Sequence, residues 1–250
     1  MIEALLLATT RVSTKLAGNI ISNATGFFFE RDNQLFLVTN RHVVLDEPTN
    51  HRPDYLDIEL HTDLGNVGVV AQFSIPLYQQ GKPVWRQATD AAGIVDVVAI
   101  ELQRAALPKN VHLQAFTPNH LLGNLDDVEI GTPVVIVGFP LGFHDTLHHL
   151  PVARQAVVAS AFGIRFQGNG YFLTAARMHR GTSGAPVVVR TTTLSGRGKL
   201  VWGLLGIHAA RLEASNRDEQ EDERLDLNCV WYADILRILT DNIPAQTTAK

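Results

Sequence analysis

The stretch Gly181-Thr182-Ser183-Gly184-Ala185-Pro186 places one serine between two glycines and ends on a proline. A run of three valines follows at once, which is typical of a buried strand. A serine hydroxyl becomes a useful nucleophile only when a base lies beside it and amide donors face the developing oxyanion. Glycine at 181 permits a sharp turn, which can aim the N–H groups of Gly181 and Ser183 into one small hole. The stretch therefore predicts a reactive serine at a tight turn that leads into a strand.

Two further residues that such a serine needs lie upstream. His42 follows the strand-like run 36–39, and Asp96 opens the apolar run 97–100. A histidine in this place takes the serine proton and passes it to the leaving amine, while the aspartate holds the tautomer of the ring. Four other aspartates lie close after His42 in a polar loop and strand start, without an apolar strand behind them: Asp46, Asp54, Asp57 and Asp63.

In the order His42, Asp96, Ser183 the chain resembles the chymotrypsin-like serine peptidases, and most of all their HtrA-type and glutamyl endopeptidase branches. The resemblance covers residues 25–242. It implies a serine endopeptidase that cleaves polypeptides through an acyl-enzyme, with an oxyanion hole made by the amides of Gly181 and Ser183 and with no cofactor. The chain stops soon after the last predicted strand, so we expect the peptide-binding PDZ module of HtrA-type proteins to be absent.

Two alternatives to this enzyme class deserve comparison. A catalytically silent peptide-binding module of the same fold would keep the architecture without the chemistry. An α/β-hydrolase esterase needs Gly-x-Ser-x-Gly between a strand and a helix, followed by the acid and then the histidine. Here a β run follows Ser183, and the acid and histidine precede it, so the sequence argues against that class.

Thr182 departs from the trypsin-type pattern, in which an aspartate just before the serine pairs with an N-terminus created by proteolytic activation. Threonine carries no charge, so this ion pair cannot form. The resemblance therefore implies an enzyme that does not need N-terminal zymogen cleavage, and whose oxyanion loop is held in another way.

The run 206–209 resembles the strand that lines the primary specificity pocket. There His208 and Ala209 would contact the substrate side chain before the cut, with a preference for an acidic or glutamine side chain. Arg177 would add positive charge to the same pocket. Two other interpretations stay open, namely a satisfied core histidine at His208 and an exposed surface arginine at Arg177.

Short runs rich in Val, Ile and Phe recur between Gly, Pro, Asn and Asp, which is typical of an all-β barrel or sandwich. The resemblance implies two six-stranded antiparallel β-barrels of the chymotrypsin type with a C-terminal helix, for which apolar spacing from 233 onward is suitable. We expect an N-terminal barrel with His42 and Asp96 over 1–108, a connection over 109–127, a C-terminal barrel with Ser183 over 128–232, and a helix and tail over 233–250. The strand-like runs are 26–30, 35–38, 58–60, 67–73, 97–102, 133–137, 152–159, 171–174, 187–190, 200–207 and 227–232.

Length, composition and charge limit the size of the core, the class of partner and the cellular compartment. The chain has 250 residues, of which 46% are hydrophobic, and this is enough for a sizeable core. A net charge of −4 gives no electrostatic case for nucleic acid or an anionic membrane as a partner. The single Cys229 excludes an internal disulfide, and the apolar run 4–8 is too short for a secretory signal, so we expect a cytoplasmic protein. The oligomeric state cannot be predicted.

The chain contains one cluster of histidines and one acidic stretch. His144, His148 and His149 suggest zinc, but neither a cysteine pair nor an H-E-x-x-H motif accompanies them, so the sequence favours no metal site. The acidic stretch 211–226 is most simply a solvated loop. Its place after the pocket strand also permits a segment that covers the cleft.

Overall fold

The structure is a computed structural model, and it describes residues 2–122, 128–191, 200–209 and 225–242. Fifteen strands dominate the described chain, and the helices are short. The front strands are β1 (Thr9–Leu16), β2 (Asn19–Arg31), β3 (Gln34–Thr39), β4 (Tyr55–His61), β5 (Val70–Pro76), β6 (Tyr78–Gln79), β7 (Lys82–Pro83), β8 (Trp85–Asp90) and β9 (Gly93–Leu102). The rear strands are β10 (Pro133–Gly138), β11 (Val152–Val158), β12 (Tyr171–Ala175), β13 (Pro186–Arg190), β14 (Trp202–Ala209) and β15 (Leu227–Tyr232).

The α-helices have four or five residues each: α1 (Ala4–Leu7), α2 (Arg41–Val44) and α3 (Ile235–Leu239). Single 3-10 turns occur at Arg104–Ala106, Pro118–His120, Pro140–Gly142 and Phe166–Gly168. The predicted C-terminal helix is confirmed by α3, which buries Leu236 and Leu239 and exposes Ile238 as a helical period requires. No helix within the described ranges has the length and apolar character needed to cross a bilayer.

The front half is one antiparallel sheet with the strand order β5-β4-β1-β2-β3-β9-β8, and the two-residue strands β6 and β7 pair separately. The all-β prediction is confirmed, but this sheet differs from the expected six-stranded barrel because it contains seven strands. The described pairing leaves β5 and β8 as its two edges. The apolar runs of the sequence do not indicate β1 and β8, which contain no two consecutive large apolar residues.

The rear half is a closed six-stranded barrel in the order β10-β11-β12-β15-β14-β13. Its interior is filled by side chains such as Phe172, Val187 and Val230, each 0% exposed. The pairing of β13 with β14 shifts by one residue between Val187 and Val188, immediately after the serine loop. Such a bulge bends the strand, so the serine loop enters the barrel wall at an angle.

One apolar cluster joins the two halves. It includes Leu5 from α1, Phe27 from β2, Phe116 from the connection, Ile207 from β14 and Leu236 from α3. Burial on both sides fixes the two β units against each other, since apolar area removed from water stabilises by about 25 cal/mol per Å². The residues of the cleft between them are therefore positioned by a shared core.

Candidate active site

His42 and Asp96 meet at the end of the first sheet. His42 lies in α2, and Asp96 lies in β9. The backbone N–H of His42 donates to Oδ1 of Asp96 at 2.8 Å, and the Nδ1 atom of the ring lies 2.7 Å from Oδ2. Asn40 adds a further bond, because its side-chain amide donates to the carbonyl of Asp96 at 2.7 Å. These bonds hold Nδ1 against the carboxylate and leave Nε2 on the opposite edge of the ring.

The other aspartates near His42 in sequence bond elsewhere in space. Asp46 accepts from Thr49, Asp54 from the Ala17 amide and Asp63 from the Gly65 amide. Asp57 accepts from Ser74 and forms an ion pair with Lys15. Asp96 is therefore the aspartate of this set that contacts the imidazole of His42.

The loop that carries Ser183 is bound to the first sheet through Thr25. The backbone N–H of Thr25 donates to the carbonyl of Ser183 at 2.9 Å, and its hydroxyl donates to the carbonyl of Gly181 at 2.7 Å. The same hydroxyl accepts the N–H of Phe139 at 3.1 Å. Thr25 is 0% exposed, so its bonds are shielded from water. One buried side chain thus ties the serine loop and the segment after β10 to strand β2.

Gly184 makes the approach between the serine loop and the first sheet possible. Its φ is 86°, and a Cβ there would lie 2.1 Å from the carbonyl oxygen of Thr25 and 2.4 Å from the hydroxyl of Thr39. No side chain fits at that distance, so the position requires glycine. Because Thr39 ends β3 three residues before His42, this contact brings the Ser183 loop to the end of the first sheet that carries the histidine.

The amide of Gly181 points away from the turn that follows β10, and the amides of Gly181 and Ser183 are both available as donors. The carbonyl of Arg180 accepts the N–H of Leu141 at 2.6 Å. In a trans peptide the C=O and N–H point in opposite directions, so the N–H of Gly181 faces away from Leu141. Within the described chain, neither Gly181 N–H nor Ser183 N–H donates a hydrogen bond to another residue. Both amides can therefore donate to an anionic oxygen.

Thr182 lies inside the loop, 1% exposed. Its hydroxyl donates to the carbonyl of His179 at 2.6 Å, and its N–H donates to the same oxygen at 3.3 Å. A neutral hydrogen-bonded turn thus occupies the place where the trypsin-type pattern has a charged aspartate.

His208 lies in β14 beside the serine loop and is 0% exposed. Its N–H donates to the carbonyl of Ala185, and its carbonyl accepts the N–H of Gly184, both at 2.9 Å. Neither ring nitrogen has a hydrogen-bond partner in the described part of the chain. Burial lowers the pKa of His208 to about 3, and the charge of His42 acts in the same direction. The ring is therefore neutral at pH 7.

The two other residues predicted for the pocket lie in different environments. Ala209 ends β14, is 5% exposed and pairs with Cys229 of β15. Arg177 is exposed in the segment after β12. Residues 211–224, most of the acidic stretch, lie outside the described residues.

Thr25 and Asn40 support the site, and neither could be identified as a support from the sequence pattern. A signal for Asn40 exists in retrospect, since an asparagine at the end of an apolar strand caps the turn that follows. Asn40 is 0% exposed and occupies the N-cap position of α2, but its side chain makes no capping bond and donates to the carbonyl of Asp96 instead. Thr25 precedes the apolar run 26–30, and only its contact with residues 156 positions later reveals its role.

Comparisons with known proteins agree with this architecture. A serine endoprotease from Yersinia pestis is similar in structure, with a TM-score of 0.54 and 13% sequence identity. The alignment covers 94% of this chain and 62% of the Yersinia protein. An inactivated protease paralogue of the scabies mite gives 15% identity and a TM-score of 0.54, with 94% of this chain and 93% of the other covered.

A protease from M. tuberculosis in its active form gives 16% identity and a TM-score of 0.50, with 94% and 80% covered. At these identities the likeness concerns the fold alone. No curated protein sequence matches the chain significantly. A family model, the trypsin-like peptidase domain, matches residues 24–196, which is more than half of the chain and includes His42, Asp96 and Ser183. The chain therefore belongs to the trypsin-like peptidase family.

Proposed function

We propose that the protein is a serine endopeptidase in which Ser183 is the nucleophile, His42 the general base and Asp96 the residue that orients the histidine. The observation that carries this proposal is the double contact of Asp96 with His42, through the backbone N–H and through Nδ1. A carboxylate on Nδ1 fixes the tautomer whose Nε2 accepts a proton. The binding of the Ser183 loop to the same end of the first sheet supports the assignment.

The reaction follows from these roles. Nε2 of His42 takes the proton of the Ser183 hydroxyl as its oxygen attacks the peptide carbonyl, and Asp96 stabilises the imidazolium that forms. The amides of Gly181 and Ser183 donate to the oxyanion of the tetrahedral intermediate. The imidazolium then protonates the leaving amine, which gives the acyl-enzyme. A water molecule, activated by the same imidazole, releases the product.

We further propose that activity does not need a new N-terminus. The bonds of Thr182 to His179 and of Thr25 to Gly181 and Ser183 supply the support that an ion pair provides in trypsin-type enzymes. Purified protein that retains Met1 should therefore be active without proteolytic treatment. Activity that appears only after N-terminal cleavage would contradict this part of the proposal.

Specificity for a glutamine or acidic side chain before the cut is proposed from His208. A neutral imidazole has one N–H donor, and here that donor has no acceptor among the described residues. The ring is 0% exposed, so a substrate side chain reaches it only when the pocket opens. Ala209 beside it would line the pocket, and Arg177 would contribute positive charge. A peptide-library cleavage profile tests this, and strong cutting after Lys, Arg or bulky aromatic residues would exclude it.

Reaction with a fluorophosphonate tests the proposed chemistry directly. We expect labelling of the wild type, with the modified residue identified as Ser183 by mass spectrometry. Labelling should disappear in Ser183→Ala and fall strongly in His42→Ala, because the hydroxyl then lacks its base. Ser160→Ala serves as the matched control, since among the described residues the Ser160 hydroxyl accepts only the backbone N–H of Leu173, at 2.9 Å. Label on another residue would overturn the assignment.

The second candidate is a catalytically silent peptide-binding protein. The likeness to an inactivated protease paralogue favours its consideration, because that fold neighbour matches this chain as well as the serine endoprotease does by TM-score. The same labelling experiment separates the two candidates. Folded wild-type protein that resists the probe, yet binds extended peptides, would establish the silent module.

A further inference from the structure

The segment 139–150, which we name the bridging loop, connects the rear barrel to the front sheet. It leaves β10, and a bridge between Asp145 and Leu150 closes its tip. The carbonyl of Leu147 lies 2.7 Å from the position of a Cβ on Gly68, so the tip packs tightly on the turn between β4 and β5. At its start, Phe139 and Leu141 contact the serine loop. The bridging loop is thus in contact with both halves of the molecule.

The bridging loop brings two histidines next to a carboxylate of the front sheet. His144 and His149 face Glu59 of β4, and one potential ligand atom from each of the three residues lies within 4.8 Å of the other two. The third histidine of the loop, His148, is not part of this group, because its Nδ1 bonds to Asp145 at 2.7 Å. The sequence favoured no metal because neither a cysteine pair nor an H-E-x-x-H motif accompanies these histidines. Glu59 lies 90 residues from His149 along the chain, so only folding brings the two together.

The hydrogen bonds of the two imidazoles prepare them to act as ligands. Nδ1 of His144 lies 2.6 Å from the carbonyl of Gly142, so Nδ1 carries the proton and Nε2 keeps its lone pair. Nδ1 of His149 lies 3.2 Å from Oε2 of Glu59. His149 also adopts a φ of 55°, a left-handed conformation that few non-glycine residues adopt. A metal ion can replace the proton that His149 and Glu59 share.

Glu59 is held in place for this contact. Its side chain is 10% exposed, and Arg11 donates to Oε1 at 2.5 Å, which leaves Oε2 towards the histidines. The Arg11 charge weakens the attraction for a cation, but it also fixes the carboxylate, as outer partners of metal ligands commonly do.

We propose that Glu59, His144 and His149 bind one Zn²⁺ ion. Two imidazole nitrogens and one carboxylate oxygen form a set that Zn²⁺ prefers, with a water molecule as the fourth ligand. Ligand atoms around tetrahedral zinc are about 3.3 Å apart, so closure requires the bridging loop to shift by less than about 2 Å. Mg²⁺ and Ca²⁺ prefer sets made of oxygen alone and should bind much more weakly.

Zinc at this position would affect the serine loop, an inference that rests on the proposed function. Leu141 donates to the carbonyl of Arg180, and the carbonyl of Phe139 lies 2.5 Å from a Cβ position on Gly181. An ion that binds the tip of the bridging loop to β4 restrains these contacts. We therefore infer that Zn²⁺ stabilises the conformation in which the amides of Gly181 and Ser183 face one hole.

Isothermal titration with Zn²⁺ tests the site. All titrations use the His42→Ala protein, because this substitution removes the imidazole–carboxylate pair of His42 and Asp96 as a competing zinc site. We expect one ion per chain, with affinity reduced by at least about tenfold in His144→Ala, His149→Ala and Glu59→Gln. His148→Ala is the matched control and should leave the affinity unchanged. Absence of saturable binding, or equal affinity in the His149→Ala and His148→Ala proteins, would overturn the proposal.

Amide hydrogen exchange tests the effect on the serine loop without any need for activity. With Zn²⁺ we expect slower exchange in residues 139–150 and also in 179–184, and no change in the His149→Ala protein. Protection confined to 139–150 would keep the site but refute its effect on the serine loop. Because neither measurement uses catalysis, a failure of the proposed peptidase activity cannot be mistaken for a failure of zinc binding.

Discussion

Burial of His208 as a neutral ring makes a quantitative prediction about stability and pH. Its pKa falls from 6.5 to about 3 on folding, chiefly because the ring loses its water. A histidine with a depressed folded pKa binds more protons when the chain is unfolded, so the folded state loses stability as pH falls below 6.5 towards 3. His61 and His120 shift in the same direction through burial, and the whole protein should therefore be acid-sensitive.

The substitution His208→Val isolates the contribution of His208 to this acid-dependent loss of stability. At pH 5 the unfolded imidazole of His208 is protonated and the folded one is not, which is a factor of about 30, or about 2 kcal/mol of lost stability relative to pH 7.5. Valine cannot titrate, suits a strand and leaves no unsatisfied nitrogen in the core. We expect the variant to be at least as stable as the wild type at pH 7.5, and more stable by about 2 kcal/mol or more at pH 5.

Urea unfolding at several pH values between 5 and 7.5, followed by circular dichroism, gives the free energy of unfolding of both proteins. The Ser160→Ala protein is the control, because a serine does not titrate and this hydroxyl accepts only a backbone N–H, that of Leu173, among the described residues. If the stability of the wild type and of His208→Val falls in parallel with pH, the ring titrates in the folded state. The buried neutral imidazole, and the specificity argument built on it, would then be wrong.

Three further substitutions test the supports of the serine. Thr25→Val leaves the carbonyl of Gly181 without its donor and should cost about 2–3 kcal/mol and slow fluorophosphonate labelling at least about tenfold, whereas Thr25→Ser should retain most of both. Asp96→Asn should slow labelling by about 10⁴-fold with little loss of stability, because the amide cannot hold the required tautomer of His42. Gly184→Ala should cost several kcal/mol more than Gly18→Ala in urea unfolding, since both have a positive φ but only Gly184 would place a methyl group against backbone.

The strands that the sequence predicts are those with an apolar run, and the four that it does not predict, β1, β6, β7 and β8, lack one. The run 97–102 lies within β9, and 171–174 lies within β12. By contrast β1 is rich in threonine, with Val12 as its chief core contact, and it lies mid-sheet between β2 and β4. Backbone hydrogen bonds on both sides define such a strand, and pairing partners are not visible in local composition.

The residues of the candidate site likewise include some that the sequence predicts and some that it does not. His42 and Asp96 could be selected because each stands beside an apolar strand in a recognisable order, and the structure brings them into contact. Glu59 and Thr25 could not be selected, since each acts on residues of the rear half through contacts that no sequence period encodes. For the run 206–209 the sequence left two interpretations open, because a core histidine and a substrate-binding histidine suit the same strand. The structure buries His208 completely.

The serine loop depends on contacts from outside its own barrel, and this has a consequence for regulation. Thr25 and Thr39 of the front sheet and Leu141 of the bridging loop all contact the segment 180–184. Because this loop is bonded to several elements, it keeps its conformation only while the front sheet and the rear barrel keep their relative positions. Events that alter their packing, such as metal binding at Glu59, should therefore change the oxyanion amides before they change global stability, because coupling follows contacts that are themselves able to shift.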